Sequence, residues 1–390
     1  MVARKGVLRL TAGHPWVYKS DVSKVDKGAD AGALVAVADD RGRFLGSALY
    51  SSASQIAVRL ISTEPVNDLP ELVRNRIRGA VAYRKNLVSG TNAYRLIFSE
   101  ADQLPGLIAD RFHDVISVQI LTQAMDREDI RAVVIETLQR EVPEAQNILE
   151  RVDARIRQLE ELPAKESGLL VGKKTATIYE MNGLKFQFDG TSGQKTGAFL
   201  DQRENYAAAA SYAHGEALDV CTYQGGFALH LAASKKVSSV SAVDVSRAAL
   251  EVADENGMLN KGAIVKEVEW IEGNAFDLLK DHSSAGKQYD TIVLDPPAFA
   301  KSKKNLETAL RGYKEMNLRA LKMLRPGGIL VTCSCSFHVS ESEFLSVLAS
   351  AAADAHRAVK ILERRGAAKD HPAVATIPET SYLKCIICTV

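Results

Sequence analysis

Asp295-Pro296-Pro297 closes one apolar stretch of the chain, and Thr332-Cys333-Ser334-Cys335 closes another. Each group stands where a strand would give way to a loop. If both strands belong to one doubly wound sheet, their carboxyl ends open into a common crevice. A carboxylate and a thiol would then meet over one substrate. A thiolate attacks an electron-poor ring, and a carboxyl hydrogen-bonded to that ring draws charge away. The order and type of these residues therefore point to chemistry on such a ring.

The surrounding elements predict the sheet. Residues 217–220, 240–244, 290–295 and 328–332 read as strands that alternate with helical stretches. That rhythm implies a parallel, doubly wound α/β layer. Residues 382–388 read as a late strand, antiparallel to the rest.

The front of the chain has another rhythm. Residues 7–10, 34–38, 44–50 and 56–61 read as short strands, with Asp39-Asp40-Arg41-Gly42 as a hairpin turn. This is the pattern of a small β-barrel. A helix is expected over 69–88, with Leu72, Ile77, Val81 and Leu87 on one face. Strands at 94–97 and 115–120, a helix over 129–140 and a hairpin around Asn182-Gly183 imply a middle α+β unit. The expected division is 1–70, 71–189 and 190–390, for an α/β protein with a barrel at its front.

Composition narrows the class. Hydrophobic residues make up 46% and charged residues 25% of 390, as in an ordinary globular protein. No apolar run reaches bilayer length, so no membrane partner is expected, and no signal peptide is visible. Five cysteines without a disulfide-like array suit a reducing cytoplasm. Without paired CxxC or Cys/His spacing, no metal site is expected. Residues 1–95 carry 15 Lys/Arg against 8 Asp/Glu, net +7, which leaves −6 for the rest. Such asymmetry suggests that the front meets an anion, although a solvated basic helix explains the charge equally well. Arg4, Lys5, Arg74, Arg76 and Arg78 are the candidates for phosphate contacts, which position a nucleic acid without reading it. Trp16 reads as a barrel-core residue and His14 as a turn histidine.

The first strand of the α/β layer runs into Asp219-Val220-Cys221-Thr222-Tyr223-Gln224-Gly225-Gly226. This is neither a GxGxxG dinucleotide turn nor a GxxxxGK[ST] phosphate loop, so NAD and ATP are disfavoured. Gly225 and Gly226 would let backbone approach a ligand. Asp244 ends the next strand, 25 residues after Asp219, where it would accept from ribose hydroxyls. Asn274-Ala275-Phe276 follows a third strand, with Asn274 placed to read an adenine edge. These pieces, Tyr223 included, suit S-adenosylmethionine, a nucleoside without phosphates. The competing reading is a generic α/β turn with structural acids.

These residues carry a resemblance. The C-terminal half is similar to class I S-adenosylmethionine-dependent methyltransferases, with their Rossmann-like sheet. The stretch from Gly193 through Lys195-Thr196-Gly197-Ala198-Phe199-Leu200-Asp201-Gln202-Arg203 to Asn205 resembles the KTGFFLDQR signature of bacterial 23S-type ribosomal RNA cytosine-5 methyltransferases. Asp295-Pro296-Pro297, Gly312-Tyr313-Lys314 with Asn317, Asp370-His371-Pro372, Pro378-Glu379-Thr380 and Tyr382-Leu383-Lys384 match as well. Gly13-His14-Pro15-Trp16-Val17-Tyr18 resembles the opening of the PUA RNA-binding domain of that family. The likeness spans nearly the whole chain. It implies large-subunit ribosomal RNA as partner, and it implies that Phe199, Asp201 and Gln202 line the cofactor pocket. It leaves the oligomeric state open, with a homodimer among the options.

Carbon methylation explains the opening pair. C5 of cytosine is too weak a nucleophile until a thiolate adds at C6. A carboxyl held at N3 would stabilise the adduct, and Asp295 is its candidate. Aligning the Gly327-Gly328 strand start with the family puts Cys335, rather than Cys333, at the nucleophile position. The usual second cysteine after Asp-x-Pro is replaced by Ala298, so the base that removes the C5 proton is open: water, Asp295 or Lys301. Pro297 and Phe299 would face the substrate, with Phe299 stacking on a flipped base. Two alternatives stand beside this reading. One is methylation of an exocyclic base nitrogen, since the DPP group resembles the [DN]PP-aromatic element with one residue inserted. The other is a non-catalytic RNA-binding assembly factor.

Overall fold

The computed structural model describes residues 1–191, 197–264, 266–300 and 302–390. Two compact units emerge: Met1–Tyr179 with Phe188–Leu200 and Lys369–Thr380, and Glu180–Gln187 with Asp201–Ala368 and Ser381–Val390.

The first unit opens with four antiparallel strands, Trp16–Tyr18, Leu34–Ala38, Phe44–Tyr50 and Ile56–Ser62, in spatial order first, fourth, third, second. Val2 bridges to Val22 and Asp39, adding short closing contacts. Val2, Leu10, Val17, Val37, Ala48, Ala57 and Val58 form the core. Residues 7–10 are not a strand: they lie in the helix Arg4–Thr11. The reason is the i, i+4 spacing of Gly6 and Leu10, which share the buried face while Leu8 stays exposed. A Cβ on Gly6 would stand 3.2 Å from Val17, so the helix needs a small residue there. Four residues are too few to separate the two periods by pattern.

The same unit holds a five-stranded sheet, Ala93–Phe98, Leu107–Phe112, Val115–Ile120, Asn147–Glu150 and Gly168–Val171, whose spatial order follows the chain. Helices Leu69–Leu87 and Glu128–Glu141 contribute Val73, Ile77, Val81, Ile130 and Leu138 to a core shared with Leu96, Leu107 and Ile116. Asp68 caps the first of these helices by accepting from Glu71 N at 2.8 Å. The returning segment is held by charge. Asp370 Oδ2 accepts from Arg95 N at 2.8 Å. The buried Arg84 guanidinium donates to the Asp370 carbonyl at 3.2 and 3.0 Å and to Asp102 at 2.6 Å. The Asp370-His371-Pro372 group is thus a structural anchor of this unit.

The second unit is the α/β layer. Its strands are β1 (Gly215–Val220), β2 (Val237–Asp244), β3 (Val268–Glu272), β4 (Tyr289–Leu294), β5 (Leu324–Ser334), β6 (Lys360–Arg365) and β7 (Lys384–Thr389). Their spatial order is β3-β2-β1-β4-β5-β7-β6. The first five are parallel, and β7 runs antiparallel between β5 and β6. Strand order reverses between β1 and β4, so a crevice opens beyond their carboxyl ends. The helices are α1 (Arg203–Tyr212), α2 (Gly226–Ala233), α3 (Arg247–Leu259), α4 (Ala275–Ser284), α5 (Leu306–Met323) and α6 (Glu341–Asp354). Leu218, Ile292, Leu294 and Leu330 of the sheet pack with Tyr313, Ala320, Leu321 and Phe344 of α5 and α6. Among the described residues no helix is long and apolar enough to cross a membrane. All five cysteines are free, and no group of three or more His, Cys, Asp or Glu among the described residues could hold a metal ion.

Candidate active site

The crevice is built from strand ends. Register pairs Val220 with Leu294 and Leu294 with Thr332, so the residues after β1, β4 and β5 emerge side by side. Asp295 N donates to the Val220 carbonyl at 3.2 Å, which carries the pairing one step beyond the strands.

The turn after β1 is tightly wound. Cys221 and Tyr223 hold φ of +65° and +50°, and Gly225 holds +83°. Two non-glycine residues in the left-handed region within three positions store strain that only surrounding contacts sustain. One such contact is Tyr223 N, which donates to Asp244 Oδ2 at 2.9 Å. Asp244 Oδ1 accepts from Ser246 N at 2.9 Å, so the half-buried carboxylate is held by backbone on both oxygens. Gly226 begins α2 against Tyr206: a Cβ there would lie 2.5 Å from the ring.

Asp219 is fully buried under this turn. Its Oδ2 accepts from Thr222 Oγ1 at 2.6 Å and Ala228 N at 2.9 Å. Its Oδ1 has no hydrogen-bond partner among the described residues. Burial pushes its carboxyl up to about 7, and the Asp244 charge adds to the effect. Buried polar atoms are nearly always paired, so the orphaned oxygen marks a network that a ligand would complete. The donor set, two acids and a strained small-residue turn without a phosphate cradle, fits a cationic nucleoside.

Asn274 caps α4, its Oδ1 accepting from Phe276 N at 2.9 Å and Asp277 N at 3.4 Å. The oxygen is thereby committed to backbone. Ala275 opens the helix behind it.

Asp295 and the thiols lie on the other side of the switch point. Gln202 Nε2 donates to Asp295 Oδ1 at 2.9 Å. Gln202 is itself oriented by Asn205, whose Nδ2 donates to Gln202 Oε1 at 2.6 Å. Arg365 Nε in turn donates to Asn205 Oδ1 at 2.9 Å. Asp201 is tied down by the Tyr382 hydroxyl at its Oδ2 and by Ala368 N at its carbonyl.

The two cysteines have different fates. Cys333 is the next-to-last residue of β5, fully buried, and pairs with Cys385 of β7. Burial pushes its thiol well up, and the Cys385 side chain adds to that. Cys335 lies beyond the strand and is half-buried, with its Sγ 3.8 Å from the Pro296 carbonyl. Ser336 joins the same turn to the Asp-Pro-Pro loop. Its Oγ accepts from Ala300 N at 3.1 Å and meets the Tyr313 hydroxyl at 2.9 Å. The groups that close two separate stretches of sequence are thus laced together. Cys221 is pushed up by burial and by Asp244, so it is a poor nucleophile.

Phe299 leans on Tyr313 at 4.7 Å and on Phe276 at 5.8 Å between centroids, with Gly312 at its edge. Its ring anchors the loop, and Pro297 is exposed on that loop. Phe199 is half-buried in the first unit. Gly193, Lys195, Thr196 and Lys301 lie outside the described residues.

Among the basic candidates, Arg4 and Lys5 are exposed on the first helix. Arg74 pairs with Glu71 and Arg78 with Glu141. Arg76 is spent on the carbonyls of Gln103 and Ile61, and burial pulls it down to about 10. Trp16 is half-buried rather than core, and its indole N–H reaches Glu100 at 3.1 Å. His14 meets Glu379 at 3.1 Å.

Sequence reasoning assigned no role to Asn205, Arg365 or Lys384. The only signal was that Asn205 and Lys384 stand inside matched stretches. Arg365 carried none, because its part depends on how β6 lies beside α1.

Comparison with known proteins bears on the fold and the cofactor. Residues 1–63 match the model of a PUA-like domain, and residues 101–385 match that of an S-adenosylmethionine-dependent methyltransferase. Ribosomal RNA large subunit methyltransferase I of Shewanella denitrificans is 40% identical over 97% of this chain and 95% of its own length. The chain belongs to this methyltransferase family. The enzymes of the same name from Photobacterium profundum and Yersinia pestis are 37% and 35% identical, each over 97% of this chain and 95% of their own length. The methyltransferase fold recurs in a structure solved with S-adenosylhomocysteine, with TM-score 0.84, 19% identity and coverage of 100% and 99% of the two chains. It recurs in a Streptococcus mutans S-adenosylmethionine-dependent methyltransferase with TM-score 0.83 and 19% identity, covering 100% of this chain and 99% of that one. The cofactor of this methyltransferase is therefore S-adenosylmethionine, which accounts for a nucleoside site without a phosphate loop.

Proposed function

We propose that the protein methylates carbon 5 of a cytosine in large-subunit ribosomal RNA. The substrate class is supported by the relatives' name and by the PUA-like front. The observation that carries the chemistry is the meeting of Cys335 Sγ with the loop of Asp295, 3.8 Å from the Pro296 carbonyl. The proposed layout gives RNA binding to residues 1–70, a linker helix and α+β unit to 71–189, and catalysis to 190–390. A ribosomal substrate makes the cytoplasm the site of action.

In the proposed reaction the Cys335 thiolate adds to C6 of the ring, and the electron pair moves toward C5. Asp295 at N3 withdraws charge as it develops, held by Gln202. When bound, S-adenosylmethionine supplies an electrophilic methyl group. Asp219, Tyr223, Gly225, Asp244, Asn274 and Ala275 would hold it on the β1–β3 side of the crevice, with Phe199, Asp201 and Gln202 assigned by family likeness. After transfer, C5 loses its proton and the C6–S bond breaks to restore the thiolate. Ala298 stands where a second cysteine would assist, so water or Asp295 takes that proton, with Lys301 as the third option. Pro297 and Phe299 would border the base, while Arg4, Lys5 and Arg74 meet phosphates.

The test is an adduct with RNA containing 5-fluorocytosine, in which the C5 fluorine cannot leave as a proton does. A denaturation-stable complex is expected for wild type and Cys333→Ala and is expected to vanish in Cys335→Ala. Full methyl transfer by Cys333→Ala/Cys335→Ala would overturn the covalent route in favour of an exocyclic nitrogen. Methyl-labelled cofactor with unmodified ribosomal RNA, followed by nucleoside analysis, identifies the product.

A further inference from the structure

Lys384 opens β7 directly opposite Ser334, the residue before Cys335. It is 6% exposed. Its Nζ donates to the Ser336 carbonyl at 2.7 Å and to the Tyr382 carbonyl at 2.7 Å. The side chain therefore spans the turn that carries Cys335 and ends on the residue after it. A buried ammonium costs several kcal/mol unless it is paired. Here it has two neutral carbonyls for three N–H groups and no carboxylate in contact among the described residues. These contacts supply hydrogen bonds but no opposite charge. Glu341 and Glu343 of α6 act on it only through space, and the Glu343 carboxylate is committed to Ser340.

We propose that Lys384 is a positioning residue for the nucleophile: its ammonium braces the Cys335–Ser336 turn and supplies the positive charge against which the Cys335 thiol ionises. The catalytic consequence rests on the reading of Cys335 as nucleophile; the ionisation itself does not. The charge balance around the thiol supports this. Burial pulls Lys384 down to about 8, while Cys335 draws it back toward the charged form. Tyr313 of α5 faces the same turn, and its proximity to Cys335 favours the neutral phenol. Asp295 stands one residue before the carbonyl that meets Sγ, and its ionised form opposes the thiolate. Lys384 is the cation in this set, and a thiolate gives it the counter-ion that the folded protein otherwise withholds.

The experiment is alkylation of Cys335 by iodoacetamide in the full chain across pH, read peptide by peptide by mass spectrometry, without RNA or cofactor. Wild-type Cys335 is expected to react with a midpoint below the ordinary thiol value of about 8.5. Lys384→Met is expected to raise that midpoint and slow alkylation about tenfold at pH 7.5, the loss that one pH unit of thiolate represents. Lys384→Arg keeps the charge and is expected to restore the wild-type profile. A wild-type midpoint at or above the ordinary range overturns the proposal, as does a folded Lys384→Met with an unchanged profile. If Lys384→Met does not fold, the wild-type midpoint and Lys384→Arg decide. Persistence of the 5-fluorocytosine adduct in Cys335→Ala would sink the proposed function and leave this readout unaffected.

Discussion

Gln202 Nε2 donates to Asp295 Oδ1 at 2.9 Å, and the Asn205–Arg365 pair behind it decides which end of the amide faces the carboxylate. Asn205 donates to Gln202 Oε1, so only the nitrogen can point at Asp295. Gln202→Glu keeps the shape and reverses the polarity. Two carboxyls would then face each other and share a proton to higher pH. Methyl transfer is expected to fall about 10- to 100-fold near neutral pH, as when one preorganised donor is lost. The carboxyl limb of the pH–rate profile should move upward. An unshifted profile would disconnect Gln202 from the chemistry of Asp295.

On the proposed mechanism, Cys333 tests packing rather than catalysis. It is fully buried on β5 opposite Cys385. Cys333→Ser buries a hydroxyl beside Cys385 and Gln202, at a cost of at most about 1–3 kcal/mol. Cys333→Ala leaves a small void and is expected to cost less. Both should retain methyl transfer at permissive temperature, while thermal melting orders them wild type, Ala, Ser. A Cys333→Ala protein that folds but makes no product would reassign the nucleophile.

Much of this site is legible in sequence because strand ends have local signatures. Asp219, Asp244, Asp295 and Cys335 each follow an apolar run at its carboxyl end, and a parallel sheet gathers such ends. Elements without a periodic signal escape. Lys360–Arg365 is an edge strand of largely polar residues, and nothing local distinguishes it from a loop. Residues 7–10 fit either period, and only the buried pair Gly6 and Leu10 decides for helix. Arg365 and Lys384 act through partners more than 40 residues away in sequence, Asn205 and Ser336, so pairing alone reveals them.

Gly226 is predicted to be irreplaceable for steric reasons. A Cβ would stand 2.5 Å from the ring of Tyr206, which is buried and wedged edge-on against Phe227 at 4.7 Å. The ring must shift to admit a methyl group, so Gly226→Ala should cost about 1–3 kcal/mol by overpacking. Because the strained turn of Tyr223 and Gly225 leads into this residue, S-adenosylmethionine affinity should weaken alongside. Calorimetric titration checks it. Tyr206→Ala in the same chain should recover part of the stability, since the costs of neighbours that clash are not additive.

Stability should report two buried groups that respond to pH in opposite senses. Burial pulls His230 down to about 4, with Nδ1 donating to the Gly226 carbonyl and Nε2 accepting from Asn182. Unfolding lets it bind a proton, so its contribution is lost as pH falls from 6.5 toward 4. Asp219, pushed up to about 7, keeps a proton that the unfolded chain releases above 3.8. Its contribution is therefore present at low pH and lost as pH rises through about 7. Asp219→Asn removes the second effect and leaves the first. The stability of wild type relative to Asp219→Asn is expected to fall by roughly 3–4 kcal/mol at most between pH 4 and pH 8. Urea denaturation at both ends of that window measures it. A constant difference would mean that Asp219 carries no proton in the folded protein.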